Sequence, residues 1–595
     1  MMAGLIQRMR AMAPFLLLAG LVALAYGAAI DNEYVWDDRY FLVDFAWMDS
    51  LASAWRTAFS PLFMAEAYVR PLPLLTLYAD NLFGVHRAAV SHGVNIALHF
   101  ATASLVFLLA RDAVRQMAHE SQGGSKPALA AAALFAVHPA LTEAVVWVSS
   151  RFDLLATLFM MAGFWLSTRD RLRDGALASG VGALFLLAAF SKELAAVFPV
   201  ILVAFIVLRE AARRGGPPSL KVLLHRRWKL TFGVLFFAGL AYLAVRFHVL
   251  AGSAGISRPS YDLEQWVRTC AAIARYVQLT FLPFAGNSPQ HTFIWNAQRT
   301  LIDYLPHIAI SVLFALSVAW LLMRRTRSGW VLAAWSVGYL LVIHLVPISI
   351  GNNVVQQRFM YLPTAVLFSL APYMLAGIKL SHAAKRAVPA FLLVLLLAAL
   401  VVVRSIVPAW KADLSLWAWA RKMDPASGMA RENLIWAYLD RGMYEELDRE
   451  VELLSKDGIS TSINAPINVG VSHHNRGDME LALSYYEMAK AKSDTATQAQ
   501  RSALLNNMAG AYARLGRDQE AVDAIRKAIA LDRNNHMALA NLLAFCDGYT
   551  VNLAGYDEVV LRRAAERRAT ILRTLKEYRP GSSLAGLCPV ELQKK

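Results

Sequence analysis

The stretch 13–38, APFLLLAGLVALAYGAAIDNEYVWDD, sets a long apolar run directly against four acids, Asp31, Glu33, Asp37 and Asp38. Ala13 to Ile30 comes close to the roughly 20 residues needed to cross a bilayer core. Arg8 and Arg10 precede it, as they would in a signal peptide, but further spans follow, so it reads as an uncleaved anchor. Carboxylates at the end of a span are expensive to place and mark function more often than chance.

Working outward, composition agrees with a membrane protein. Of 595 residues 57% are apolar and 17% charged, against about 25% charged in soluble proteins, and mean hydropathy is +0.41. Disorder is excluded and a wholly soluble chain is disfavoured. The net charge of +16 is read as cytoplasmic loops, with no nucleic-acid partner. Further apolar runs lie near 92–110, 128–148, 153–168, 176–191, 193–208, 230–250, 304–323, 329–349, 362–380 and 387–407. The expected fold is therefore all-α, a polytopic bundle of about eleven transmembrane helices.

Orientation follows from the basic segments RDAVRQ, TRDRLR, REAARR…HRRWK, MRRTR and KLSHAAKR, which fall on one side with the N-terminus. That side is the cytoplasm, and the C-terminus is outside. The segment 262–284 breaks this pattern if counted as a span. Leu263, Val267, Cys270, Ala274, Val277 and Phe281 form a stripe at helical spacing, so it reads as an interfacial helix. A second such helix is expected in the outer loop, with Met48, Leu51, Trp55 and Phe59 on one face.

After Trp410 the chain becomes densely charged. LLNNMAGAYARLGRDQEAVDAIRKAIALDRNN holds Tyr512, Gly516, Ala521 and Ala528 at tetratricopeptide-repeat spacing. Gly477, Ala482, Tyr486 and Ala489 repeat the offsets, and Tyr438 and Gly442 mark a weaker unit. The division expected is a membrane domain over 1–410, with an outer loop at 31–91 and an interfacial segment at 251–303, and a helical solenoid over 411–595. The basic helix near 556–579 would cap it. Cys546 and Cys588 either pair outside the cytosol or stay free.

Polar residues converge on the outer side. They are the four acids, Arg70 in YVRPL, His92, Asn95 and His99 along one helical face, His138 and Glu143 in HPALTE, Arg151 and Asp153, Lys192 and Glu193 in SKE, and Arg358 and Tyr361 in VVQQRFMYLP. Each has a bland reading: solvated acids, hydrogen bonds between helices at His92, Asn95 and His99, a kinked helix at His138, a pair between Glu143 and Arg151. Together they describe a pocket.

The ordered set VWDD, RPL, HxxNxxLH, HPxxTE, SxRxD, SKE and RFMYLP resembles the transmembrane and tetratricopeptide-repeat-containing O-mannosyltransferases of the GT-C superfamily, here a bacterial-looking member. The chain departs from them in having few repeats, and in Gln357 where an acid usually precedes the arginine. The resemblance implies a polyprenyl-phosphate-linked monosaccharide donor, mannose or similar. Transfer would be inverting, on the outer face of a bacterial inner membrane, to a hydroxyl acceptor such as protein Ser or Thr that the repeats would recognise.

That chemistry needs a base for the acceptor hydroxyl and cations for the departing lipid phosphate. Asp37 is the expected base, with Asp38 second or positioning the acceptor. Arg358 leads for the phosphate, since its planar fork can hold two oxygens, followed by Lys192 and Arg151. Glu143, Glu193, His138, Tyr361, His92, Asn95 and Arg70 would support the cations or the sugar, and Trp47, Trp147 and Tyr361 would bound sugar or lipid. No cofactor is expected. Transfer is expected to be metal-independent, the alternative being a divalent cation on Asp37, Asp38 and Glu143. Competing functions are transfer to a lipid or surface glycan, and a transporter or scaffold whose repeats dock partners. Polar residues at outer ends rather than the midplane weigh against transport.

Overall fold

The computed structural model describes residues 2–42, 46–62, 68–117, 125–251, 262–295, 300–345, 353–375 and 381–578 apart from 548, 552 and 557, together with 378, 593 and 594. Parts of the outer loop (43–45, 63–67) and of the interfacial segment (252–261, 296–299) lie outside the described residues, as does Cys588. The chain forms two compact units, Met1–Met423 and Asp424–Lys595. The expected boundary stood at 410/411, and helix Asp413–Met423 belongs to the first unit.

The first unit is helical. Six helices are long and apolar enough to cross a membrane: Ala11–Asp31, Arg87–Met117, Glu193–Arg214, Arg226–Val249, Leu301–Met323 and His382–Lys411. Only 11% of the apolar stretch of Leu301–Met323 is buried, against 67% for Glu193–Arg214. Phe236, Phe237, Leu313, Leu316 and Trp320 stand exposed on the outer helices, a surface suited to lipid and not to water. A bent pair, Ser125–Ala136 followed by Pro139–Val146 at an angle of 52°, is either a broken seventh span or a re-entrant loop. The break has a local cause. Proline drives the residue before it out of the helical region, and His138 takes φ −65° and ψ 118°.

The remaining expected spans form shorter helices, at or below the roughly 17-residue lower end of a bilayer crossing. Those near 153–168, 176–191, 329–349 and 362–380 form helices Arg151–Ser167, Asp174–Ala189, Arg327–Val337 and Tyr361–Leu375. Among the described residues, length and composition therefore support six spans, or seven with the bent pair.

The segment after residue 262 forms one helix, Leu263–Phe281, capped by Asp262 accepting from the Gln265 N–H. Its covered face differs from the expected stripe. Val267 and Ala274 are buried with Ala271, Ala272, Tyr276 and Leu279, while Leu263 and Phe281 at the ends are exposed. In the outer loop, helix Leu51–Ala58 buries Ala54 and Ala58 and leaves Leu51 and Trp55 exposed. Met48 and Trp47 are instead buried in a cluster with Leu74, Leu77 and Phe152.

The second unit is a series of helix pairs: Gly428–Asp440 with Tyr444–Lys456, Asn464–Arg476 with Met479–Ala491, Gln498–Arg514 with Asp518–Leu531, and His536–Phe545 with Glu558–Tyr578. The turns inside the first three contain Gly442, Gly477 and Gly516, at φ of 66°, 94° and 79°. That region suits glycine, which is why these glycines recur at the expected offsets. Gly470 has a different task. A Cβ there would lie 2.4 Å from the Tyr486 ring, so its absence lets the second pair close. The basic helix Glu558–Tyr578 packs on His536–Phe545 as the last partner. A two-residue antiparallel pair, Tyr549–Thr550 with Gln593–Lys594, is the only strand structure among the described residues.

Candidate functional site

The first span ends in the 3-10 turn Gly27–Asp31, and an extended segment leads to the short helix Asp37–Leu42. Asp38 faces inward and is fully buried. Its Oδ1 accepts from the Ser149 N–H at 2.7 Å and the Ser149 hydroxyl at 2.6 Å, and its Oδ2 from the Val35 N–H at 3.4 Å. Burial raises its carboxyl to about 7, against the pull of those bonds. Asp37 is partly exposed and lies within electrostatic reach of Arg358. Desolvation raises it to about 6, with Arg358 pulling it down. Of the two acids, Asp37 is the more exposed.

Arg358 sits in the turn Gln357–Met360. Its Nη1 donates to Glu143 Oε1 at 2.8 Å, and Glu143 is held on Thr142–Val146, the short helix beyond the Pro139 break. The guanidinium lies 4.7 Å from the Trp147 ring centre, 5.0 Å from Phe359 and 5.8 Å from Trp36. Trp36 and Trp147 stack at 4.6 Å. Aromatic faces favour a cation there, while the guanidinium keeps some exposure to the outside.

Lys192 continues the cationic group. Its Nζ donates to both oxygens of Asp153 at 2.6 Å and lies 4.6 Å from the Phe359 ring centre. Burial lowers its pKa to about 8, Asp153 opposing and Arg70 and Arg358 adding to the fall. Arg70 donates twice to Glu193 Oε2, at 3.0 and 2.8 Å, and Arg246 donates to Glu193 Oε1 at 3.3 Å. Four cations, Arg358, Lys192, Arg70 and Arg246, thus pair with Glu143, Asp153 and Glu193, and Arg358 lies within electrostatic reach of Asp37.

Other expected site residues are structural in their placement. Arg151, expected among the phosphate ligands, is fully enclosed. Its guanidinium meets Asp80 at 2.6 Å, donates to Asn95 Oδ1 at 2.9 Å and to the Ser91 carbonyl at 2.9 Å. Asn95 in turn donates to the Trp147 carbonyl at 3.0 Å, so this network braces the tryptophan under Arg358. Tyr361 is also fully buried and does not line an open sugar site. The Ala136 carbonyl can only accept, so His99 Nε2 carries the proton at 2.9 Å, and His99 Nδ1 accepts from the Tyr361 hydroxyl at 2.9 Å. His138 Nε2 donates to the Thr280 carbonyl at 3.1 Å. His92 is buried next to the backbone of Asn32, Glu33 and Val146. Trp47 belongs to the outer-loop cluster, and Trp147 is 2% exposed, a wall behind Arg358.

Sequence reasoning missed Arg246, Trp36, Ser149 and Asp413. Arg246 stands at the outer end of an expected span and met the criterion applied to the others. Ser149 carried no signal beyond its place before Arg151. Among the described residues, no group of three or more His, Cys, Asp or Glu is placed to hold a metal ion, Asp37, Asp38 and Glu143 included.

Comparison with known proteins gives distant likenesses. The chain is 35% identical over 157 residues to protein O-mannosyl-transferase Tmtc1 of Drosophila melanogaster, covering 25% of this chain and 17% of that one. It is 31% identical over 184 residues to protein O-mannosyl-transferase TMTC1 of Homo sapiens, covering 29% and 20%. With TMTC4 of Homo sapiens the figures are 30% over 181 residues, 27% and 24%. No family model matches, and no solved structure matches. The chain spans about a fifth of the length of these curated relatives, and over that part it is a distant relative of proteins named as protein O-mannosyl-transferases.

Proposed function

We propose that the chain is a membrane glycosyltransferase of the GT-C type that moves a monosaccharide, mannose or similar, from a polyprenyl-phosphate donor to a protein Ser or Thr hydroxyl. The observation that carries this reading is a partly exposed Asp37 within electrostatic reach of Arg358, which lies on its aromatic wall. Asp37 takes the acceptor's proton as that oxygen bonds to the anomeric carbon. The bond from that carbon to the phosphate oxygen breaks, its electron pair leaving with the lipid phosphate. Arg358 and Lys192 meet the charge that develops there, and Arg70, Glu193 and Arg246 flank it. Attack opposite the leaving group inverts the anomeric centre. Asp38 fixes the turn that carries Asp37.

In this reading the shorter helices Arg151–Ser167, Asp174–Ala189, Arg327–Val337 and Tyr361–Leu375 complete the expected eleven crossings. The N-terminus is cytoplasmic, and the helix pairs form a tetratricopeptide-type solenoid outside a bacterial inner membrane, where they receive the acceptor protein. The test is transfer from synthetic polyprenyl-phosphate mannose to a Ser/Thr peptide, with the product anomer read by NMR. The expected product has the anomeric configuration opposite to the donor's. Retained configuration would overturn the single-displacement scheme.

A further inference from the structure

The acid-bearing turn is gripped from the far end of the same unit. The Trp36 N–H donates to Asp413 Oδ1 at 2.8 Å across 377 residues of sequence. The Trp417 indole N–H donates to the same oxygen at 3.3 Å, and the Arg39 guanidinium stands 3.9 Å from Oδ2. One turn earlier, the Glu33 N–H donates to the Lys411 carbonyl at 2.9 Å. Asp413 is 6% exposed and opens helix Asp413–Met423, where a carboxylate is favoured by the helix dipole. The rings follow the same pattern. Trp417 meets Trp36 edge-on at 5.2 Å, and Trp410 lies 6.3 Å from Trp147.

What is held is a strained residue. Trp36 has φ 56°, a conformation a large side chain adopts only when its surroundings impose it. Asp37 follows it directly, so the direction of the Asp37 carboxylate depends on that turn. The Trp36 ring lies on Trp147, which also carries Arg358.

We propose that Asp413 is a positioning residue: by bonding the Trp36 N–H it holds the left-handed turn that aims Asp37 toward Arg358. The role of Asp37 in this rests on the sugar-transfer reading; the grip itself does not. Asp413→Asn keeps an acceptor oxygen where the two N–H groups need one. Asp413→Ala removes it, and Asp413→Glu keeps the charge but displaces the oxygen by one methylene.

The experiment measures amide hydrogen exchange on the full-length protein, in peptides covering 32–40 and 88–100, alongside turnover of polyprenyl-phosphate mannose with a Ser/Thr peptide as acceptor. In Asp413→Ala, exchange over 32–40 should rise on the order of tenfold while 88–100 stays unchanged. Turnover should fall about 10- to 100-fold in kcat with KM for donor little changed, as expected for a misplaced reacting group. Asp413→Asn should stay near wild type in both, and Asp413→Glu, which serves should the alanine variant not fold, should lie between. Unchanged exchange over 32–40 in Asp413→Ala or Asp413→Glu, or an Asp413→Asn variant as damaged as the alanine one, would overturn the proposal. If wild type turns over no donor while 32–40 still opens selectively, the sugar-transfer reading fails and the grip stands.

Discussion

Asp37 and Asp38 are adjacent in sequence and have opposite environments. The Ser149 bonds and full burial take Asp38 out of reach, whereas Asp37 keeps an open side and a cation nearby. A base must be ionised, so kcat/KM for transfer should fall as pH drops through about 6. If Lys192 acts as a cation, the rate should also fall above about 8. Arg358 holds Asp37 down, so Arg358→Gln should move the acid limb to higher pH. Asp153 holds Lys192 up, so Asp153→Asn should move the alkaline limb to lower pH. A pH–rate series on the three proteins checks both signs. Arg151 belongs to a different class. Arg151→Met leaves Asp80 buried without its cation, which costs about 3–5 kcal/mol, so thermal unfolding should show a large loss. Arg358→Gln also takes the cation from the buried Glu143, so it should lower both the rate and the melting temperature, and its rate is read at a temperature where the variant is folded. The sequence ranked Arg358 above Arg151 for the phosphate but did not show that Arg151 is enclosed, because enclosure depends on the packing of Ser91, Asn95 and Asp80 from other helices.

At the scale of elements, local signals were the most legible. Pro139 announced a break, and the break carries Glu143 to Arg358. The glycines at 442, 477 and 516 announced turns inside helix pairs, and all three have positive φ. Gly470 gave no such warning, since its reason is a neighbour in the next helix. Gly470→Ala should drive a methyl into the buried Tyr486 ring and destabilise this unit by about 1–3 kcal/mol. Thermal unfolding of the full chain checks this as a lowered transition for the repeat unit. Helix length was less legible. Apolar runs near 329–349 and 362–380 look like crossings by composition, yet the helices stop at Val337 and Leu375. Hydropathy counts apolar residues and does not see where the backbone leaves the helix.

Across the whole molecule, composition and span pattern led to a helical membrane protein, and the scattered motifs led to one face of it. The contacts that join those motifs were not legible. Trp36 to Asp413 and Glu143 to Arg358 each cross more than 200 residues, and a single sequence holds no record of such pairs. The most direct measurement is release of polyprenyl phosphate from polyprenyl-phosphate mannose by the purified protein in detergent with a Ser/Thr peptide as acceptor, compared with a folded Asp37→Asn variant. The account predicts release by wild type and a loss of about 10²–10⁴-fold in the variant, the usual contribution of a general base. Equal release by both proteins would contradict the assignment of Asp37, and no release by folded wild type from any such donor would contradict the glycosyltransferase itself.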